Sequence, residues 1–143
     1  MVERFANGVE LFQNTCNGLV QEIEQGKLDG AETRKILEDA LLPMLEKNTD
    51  TVVLGCTHYP FVIPLIQRIV GEKVRVIDPA PAVAKQVKRL LEAGGMKSQE
   101  SARGEVKFYT SGNPELLKSI LPKLLGEAGK VKKINWLGDS RIA

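Results

Sequence analysis

The chain has 143 residues, of which 43% are hydrophobic and 27% are charged, and its formal net charge is +2. This composition is typical of a globular protein with a sizeable apolar core. The weak net charge argues against nucleic-acid or membrane binding. The small basic cluster at 130–133 has too few charges for a binding patch, and we predict that it is solvated surface.

Targeting and cysteine signals are weak. Residues 1–8 carry Glu3 and Arg4 and have no apolar core, so we expect no signal peptide. No stretch reaches the roughly 18 uninterrupted apolar residues of a membrane-spanning helix. Cys16 and Cys56 stand 40 positions apart and form no disulfide framework, and the single histidine leaves no metal-ligand spacing. We therefore predict a cytoplasmic protein without metal, membrane or nucleic-acid partners.

Helices and strands alternate along the chain. Predicted helices, with apolar residues at helical spacing, cover 1–6 (a helix end), 19–24, 31–47, 60–70, 82–93 and 114–125. Predicted strands are short apolar runs at 9–12, 51–54, 74–77, 106–109 and 134–137. We expect a polar loop at 96–104 and a frayed end at 138–143. The alternation predicts an α/β fold with a mostly parallel sheet flanked by helices.

Small polar residues stand before three of the predicted helices. Asp29 is the predicted N-cap of the helix at 31–47, with Glu32 in the third position after it. Asp78 is the predicted N-cap before the helix at 82–93, and Ser111 and Asn113 are candidates before Pro114.

The stretch 52–60, Val-Val-Leu-Gly-Cys-Thr-His-Tyr-Pro, predicts a strand buried on both faces that ends in a reactive turn. Parallel sheets bind ligands at this edge, and the following helix N-terminus lowers the pKa of a nearby thiol. We predict that Cys56 is functional, that His58 shares its proton, and that Thr57 binds a carboxylate. The simpler alternatives are a buried structural thiol and a helix-capping or core histidine.

Two other residues have weaker signals. Glu24, at the end of the short helix at 19–24, is either a surface glutamate or the group that orients His58. Cys16 lies in a polar loop and is predicted to be non-catalytic.

A thiol beside a carboxylate-binding group can attack a carbonyl or remove a proton from carbon, and the spacing leaves both chemistries open.

The string Leu-Gly-Cys-Thr-His-Tyr-Pro at 54–60 resembles the second cysteine motif of the cofactor-independent glutamate racemases. Other segments resemble this family in the same order: Glu-Arg-Phe-Ala-Asn-Gly-Val at 3–9, Cys-Asn-Gly-Leu-Val at 16–20, Ile-Glu-Gln-Gly at 23–26, Val-Ile-Asp-Pro at 76–79 and Tyr-Thr-Ser-Gly-Asn-Pro at 109–114. The resemblance extends over 2–136. Related aspartate and hydantoin racemases share Gly-Cys-Thr but usually lack the histidine at His58, which favours glutamate.

The resemblance implies proton transfer between two thiols, without pyridoxal phosphate, metal or any other cofactor. Cys56 would be the second acid/base, Thr57 would help bind glutamate, His58 would assist proton transfer, and Glu24 would support His58. The product, D-glutamate, would serve bacterial peptidoglycan synthesis in the cytoplasm, and with it cell-wall biogenesis and cell shape.

One half of the family pattern does not occur in these residues. The Asp-Ser-Gly motif and the first cysteine motif of the family are absent from the 143 positions. The resemblance therefore predicts that 1–78 is the second racemase domain without its start, and that 79–143 is the returning segment of the first domain. We expect this chain to be inactive alone, and exposed apolar surface on 79–143 to favour a homo-oligomer.

Two alternatives remain at this point. An aspartate- or hydantoin-type racemase would be separated from a glutamate racemase by a substrate screen. A non-catalytic α/β ligand-binding or assembly module would be favoured by tight glutamate binding without α-proton exchange at Cys56.

Overall fold

A computed structural model describes residues 8–98, 104–137 and 141–142. The helix end predicted at 1–6, and parts of the segments 96–104 and 138–143, lie outside these described residues. The chain divides into two compact units: Met1–Glu22 with Leu28–Asp78, and Ile23–Lys27 with Pro79–Ala143.

The elements follow one another in α/β order. The first part of the chain contains α1 (Leu19–Glu24), α2 (Ala31–Leu45), β1 (Thr51–Val53), a 3₁₀ helix (Tyr59–Val62), α3 (Ile63–Val70) and β2 (Arg75–Ile77). The second part contains α4 (Ala80–Ala93), β3 (Phe108–Thr110), α5 (Pro114–Leu125), β4 (Val131–Lys133), β5 (Trp136–Leu137) and β6 (Arg141–Ile142). The boundaries between the two units fall within α1, after Lys27 and after Asp78.

The first unit is built on a parallel pair of strands. Thr51 of β1 lies opposite Arg75 of β2, and Val53 lies opposite Ile77. The Leu54 amide extends the pair by donating to the Ile77 carbonyl at 3.1 Å. The pair confirms the predicted parallel sheet, and it fixes the direction in which the chain leaves β1.

The core of the first unit lies where α2 packs against α3. Leu37 and Leu41 of α2 are buried, as are Leu65 and Ile66 of α3. The apolar helical spacing predicts Leu37, Leu41 and Leu65 on the inner faces of their helices, but it did not identify Ile66. Thr33 is a buried polar residue on α2 that the apolar pattern did not predict.

Replacing Leu65 by Ala is expected to destabilise the first unit by about 2–5 kcal/mol, because Leu65 is 1% exposed and its loss leaves a cavity. Urea unfolding followed by circular dichroism measures the change. Leu42→Ala, on the 47% exposed face of α2, is the matched control and should change the free energy of unfolding little. Equal losses for the two variants would contradict the assigned core.

The second unit contains its own small sheets. Phe108 of β3 lies opposite Val131 of β4 in a parallel pair, and α5 packs on both strands. Ile120 and Leu121 of α5 are buried. β5 and β6 form an antiparallel pair, with Trp136 opposite Ile142.

One strand prediction near the start was wrong, and so was the predicted burial of a second strand, β1. Residues 9–12 form no strand, and Val9 and Leu11 are exposed. A strand exists only where its backbone pairs with a neighbour, and within the described residues β1 pairs with β2 alone. The prediction that β1 is buried on both faces is also wrong, because Val53 is 63% exposed.

The C-terminal strand predictions also need correction. β4 and β5 occur in place of the predicted strand at 134–137. The backbone of β3 pairs with Val131–Lys133, and the Thr110 carbonyl then accepts a hydrogen bond from the Ile134 amide. Arg141–Ile142 pairs with β5, so these two residues are not frayed.

Three cap predictions had different outcomes. Gly30 is the N-cap of α2 without a side-chain bond, and Asp29 instead pairs with Arg68. Pro79, rather than Asp78, precedes α4. Asn113 caps α5 as predicted, because its carboxamide oxygen accepts from the Glu115 amide at 3.0 Å. Ser111 is not the N-cap, since that position lies directly before the first helical residue.

No helix within the described ranges combines the length and the apolar character needed to cross a membrane.

Candidate active site

Cys56, Thr57 and His58 form the turn between β1 and the 3₁₀ helix. Because β1 belongs to a parallel pair, this turn lies at the edge where such sheets bind ligands. Cys56 and His58 are half-buried and Thr57 is exposed. The turn therefore leaves a thiol, a hydroxyl and an imidazole within reach of a small molecule.

The Cys56 thiol and the His58 imidazole are neighbours. The distance from Cys56 Sγ to His58 Nδ1 is 3.9 Å. The Cys56 carbonyl accepts from the Tyr59 amide at 3.2 Å, and the His58 carbonyl accepts from the Phe61 amide at 3.2 Å, so backbone bonds hold both residues in place. A thiol and an imidazole at this distance can share a proton, which is how such a thiol becomes a base or a nucleophile.

Cys56 also lines a cleft of about 900 Å³ within the first unit. Its walls are the segment 8–16, one face of α2 and strand β1. Apolar side chains such as Leu37 and Ile66 form much of the lining, and Asn14 and Thr15 add polar groups. The volume lies near the upper end of the roughly 300–1,000 Å³ that is typical of small-molecule sites.

Cys16 lines the same cleft as Cys56. Burial raises the pKa of the Cys16 thiol, a side-chain hydrogen bond from Tyr59 opposes this rise, and the nearby Cys56 adds to it. Burial likewise raises the pKa of the Tyr59 hydroxyl, and the charges of Cys16 and Cys56 raise it further. Both cysteines are free thiols.

The proximity of Cys16 and Tyr59 to Cys56 was not predicted. Cys16 was assigned to a polar loop 40 positions before Cys56, and the sequence gives no signal that the two residues lie close together. The one available signal for Tyr59 is its place three residues after Cys56, where a single turn keeps the two residues close.

The first unit is expected to lose stability as pH rises above the ordinary thiol value of 9.0. The folded state holds the Cys16 proton to higher pH than the unfolded state, so the stabilisation is complete below the unfolded pKa and falls through the raised folded pKa. Urea unfolding between pH 7 and pH 10 measures the slope, and Cys16→Ala should flatten it. A slope that does not depend on Cys16 would contradict the assigned burial.

Glu24 lies at the end of α1 and is exposed. It belongs to the second unit, whereas His58 belongs to the first. The predicted support of His58 by Glu24 therefore stays a prediction. Two other roles also stay predictions: carboxylate binding by Thr57 and acid/base chemistry at Cys56. Among the residues that the structure describes, no three His, Cys, Asp or Glu side chains are grouped so that they could hold a metal ion.

Comparison with known proteins points to one family. The model of the Asp/Glu/Hydantoin racemase family matches residues 5–87. The glutamate racemase of Pseudomonas paraeruginosa is 43% identical over 135 residues, which are 94% of this chain and 51% of that protein. The glutamate racemase of a Roseiflexus species is 38% identical over 125 residues, covering 87% of this chain and 46% of that protein.

Solved structures give the same result. Glutamate racemase isoform RacE1 from Bacillus anthracis has a TM-score of 0.82 at 25% identity, over 94% of this chain and 50% of that chain. The Francisella tularensis glutamate racemase in complex with D-glutamate has a TM-score of 0.80 at 25% identity, with the same coverage. The chain thus spans about half the length of the curated relatives it matches. Since the family model covers more than half of its residues, the chain belongs to the Asp/Glu/Hydantoin racemase family.

Proposed function

We propose that this chain carries the Cys56 acid/base of a glutamate racemase, which interconverts L-glutamate and D-glutamate. The observation that supports this most directly is the 3.9 Å separation of the Cys56 thiol and the His58 imidazole beside an open cleft. The name of the relatives, glutamate racemase, supplies the substrate.

The chemistry assigns one task to each residue. The Cys56 thiolate takes the proton from the α-carbon on one face, and the electron pair of the broken C–H bond stays on the substrate. A second thiol then gives a proton to the opposite face. His58 moves the proton on or off Cys56, and the Thr57 hydroxyl and backbone N–H bind the α-carboxylate. Glu24 supports His58. The residues supply this chemistry without a cofactor.

We assign the second thiol to sequence outside these 143 residues. The relatives are about twice as long as this chain, which supports the interpretation of 1–78 as the second racemase domain and 79–143 as the returning segment of the first. On this proposal the 143-residue chain does not racemise glutamate alone. In the cell, the complete enzyme acts in the cytoplasm and supplies D-glutamate for peptidoglycan, and thereby for cell-wall growth and cell shape.

We further propose that the chain forms a homo-oligomer through α4. None of the residues of α4 is buried. Val83, Val87 and Leu90 recur at helical spacing and are 60%, 50% and 56% exposed. Such a stripe on an otherwise charged helix favours association with a second copy in the isolated chain.

The test joins this chain to the first half of the Pseudomonas paraeruginosa racemase; this fusion is called the joined protein below. We expect the joined protein to convert L-glutamate to D-glutamate, measured by optical rotation and chiral chromatography, whereas the 143-residue chain gives none. Aspartate and hydantoins are assayed in parallel. Conversion of aspartate or a hydantoin in preference to glutamate would contradict the substrate, and binding of glutamate without conversion would favour a non-catalytic module.

A further inference from the structure

The segment 12–16, called the wall segment below, forms one side of the cleft that Cys56 lines. It has no regular secondary structure, so side-chain contacts hold it in place. The carboxamide nitrogen of Asn14, at its centre, donates to the Ala40 carbonyl of α2 at 3.0 Å in a partly buried bond. The carboxamide oxygen accepts from the Thr15 amide at 2.9 Å, which orients the side chain. A carbonyl has two lone pairs, so Ala40 can accept this bond in addition to a helical one.

Two further close approaches lie along the same side of α2. A methyl group added to Gly18 would lie 3.5 Å from Ile36 Cδ1. The Lys47 ammonium lies 4.5 Å from the centre of the Phe12 ring, which is the distance of a cation–π contact. Positions 36, 40 and 47 recur at helical spacing, and they meet positions 18, 14 and 12 in reverse order. The wall segment therefore runs antiparallel along α2, and Asn14 makes the hydrogen bond between the two outer contacts.

We infer that Asn14 is a positioning residue of the thiol site, because its bond to Ala40 holds the wall segment along α2 as one side of the Cys56 cleft. In this position the wall segment limits the access of water and solutes to the cleft. Cys16 and Cys56, which both line that cleft, are half-buried. The inference rests on the proposed function only for its consequence in catalysis. The attachment of the wall segment is a property of the 143-residue chain, so it is tested there first.

The first test measures how fast iodoacetamide alkylates each cysteine at neutral pH, with peptide mapping by mass spectrometry. In Asn14→Ala, both Cys16 and Cys56 should be alkylated about two- to tenfold faster, the factor that corresponds to the loss of one hydrogen bond. The substitution introduces no charge, so a faster reaction reports access to the cleft rather than a new electrostatic effect on the thiols.

Two further variants show whether the effect belongs to the wall segment. Asn17→Ala makes the same change at an exposed position of the same loop and should leave both rates unchanged. Phe12→Leu removes the ring beneath Lys47 but keeps an apolar side chain, and it should accelerate both cysteines about two- to fivefold. Unchanged rates in Asn14→Ala, or an equal acceleration in Asn17→Ala, would overturn the inference.

Urea separates local opening of the wall segment from unfolding of the whole unit. Local opening exposes little surface, so the faster alkylation of Asn14→Ala should be present without urea and change little in dilute urea. An acceleration that rises with urea as steeply as global unfolding would show that the thiols react from the unfolded chain. That result would also overturn the inference.

The second test follows the joined protein in heavy water, with the glutamate enantiomer whose α-proton Cys56 removes. The carbanion that results either takes a deuteron from Cys56 and returns as deuterated starting enantiomer, or takes one at the opposite face and becomes product. Asn14→Ala should raise the ratio of deuterated starting enantiomer to product about two- to tenfold, because solvent exchanges the Cys56 proton more readily.

This ratio does not depend on the fraction of folded enzyme, so a merely structural role of Asn14 would leave it unchanged. An unchanged ratio in an active joined protein would overturn the role of Asn14 at the thiol site. If the joined protein does not racemise glutamate, the alkylation rates still decide whether Asn14 holds the wall segment, so the two proposals can fail separately.

Discussion

Cys56→Ser is expected to lower the rate of glutamate racemisation by the joined protein about 10²- to 10⁴-fold, the usual loss when a positioned acid/base is removed. A serine hydroxyl has nearly the same size, but it does not ionise near neutral pH and cannot take the α-proton. The measurement is kcat for conversion in both directions by chiral chromatography.

Two controls accompany this prediction. Lys132→Ser introduces a serine at an exposed position of β4 and should leave the rate unchanged. Thermal unfolding of Cys56→Ser should match that of the unsubstituted joined protein, since Cys56 is only half-buried. A Cys56→Ser variant that keeps even a tenth of the rate would remove Cys56 from the chemistry.

Replacing both Val87 and Leu90 by Lys is expected to weaken self-association of the 143-residue chain at least about tenfold, because charges would then interrupt the exposed stripe of α4. Light scattering over a range of protein concentrations measures the dissociation constant.

Lys85→Ala is the matched control for this surface. Helical spacing places Lys85 on the side of α4 opposite Val87, so its loss should leave association unchanged. A chain that stays monomeric at every concentration would contradict the homo-oligomer, and an association that persists in the Val87 and Leu90 variant would place the interface elsewhere.

Local patterns predicted those parts of the fold that depend on neighbouring residues. The apolar spacing of α2 correctly predicted Leu37 and Leu41 as core, and Asn113 before Pro114 correctly predicted the cap of α5. The short run Thr51–Val53 correctly predicted β1 in a parallel pair. In these cases the signal for each helix, cap or strand lies within that element and its flanking residues.

Features that depend on distant partners were not predictable in the same way. The run at 9–12 has the composition of a strand, but a strand forms only if a neighbouring edge is available. Asp29 is a residue type that often caps helices, but its side chain pairs with Arg68, 39 positions away. The presence of Cys16 and Tyr59 in one cleft likewise depends on how the segment 8–16 approaches β1.

The same limit applies to the candidate site. The order Cys56, Thr57, His58 predicted a thiol and an imidazole on one turn, because that closeness follows from sequence spacing alone. The cleft beside them is formed by α2 and the segment 8–16, whose approach to β1 has no sequence signature. A cluster of reactive groups could therefore be predicted, but its neighbours Cys16 and Tyr59 could not.

The most direct test of the role of Cys56 is α-hydrogen exchange in heavy water, measured separately for L-glutamate and D-glutamate by mass spectrometry. A base on one face removes only the α-hydrogen that points toward that face. The account predicts that the joined protein exchanges both enantiomers, and that Cys56→Ser loses exchange with one of them. Unchanged exchange of both enantiomers by Cys56→Ser would show that the Cys56 thiol does not move the α-proton.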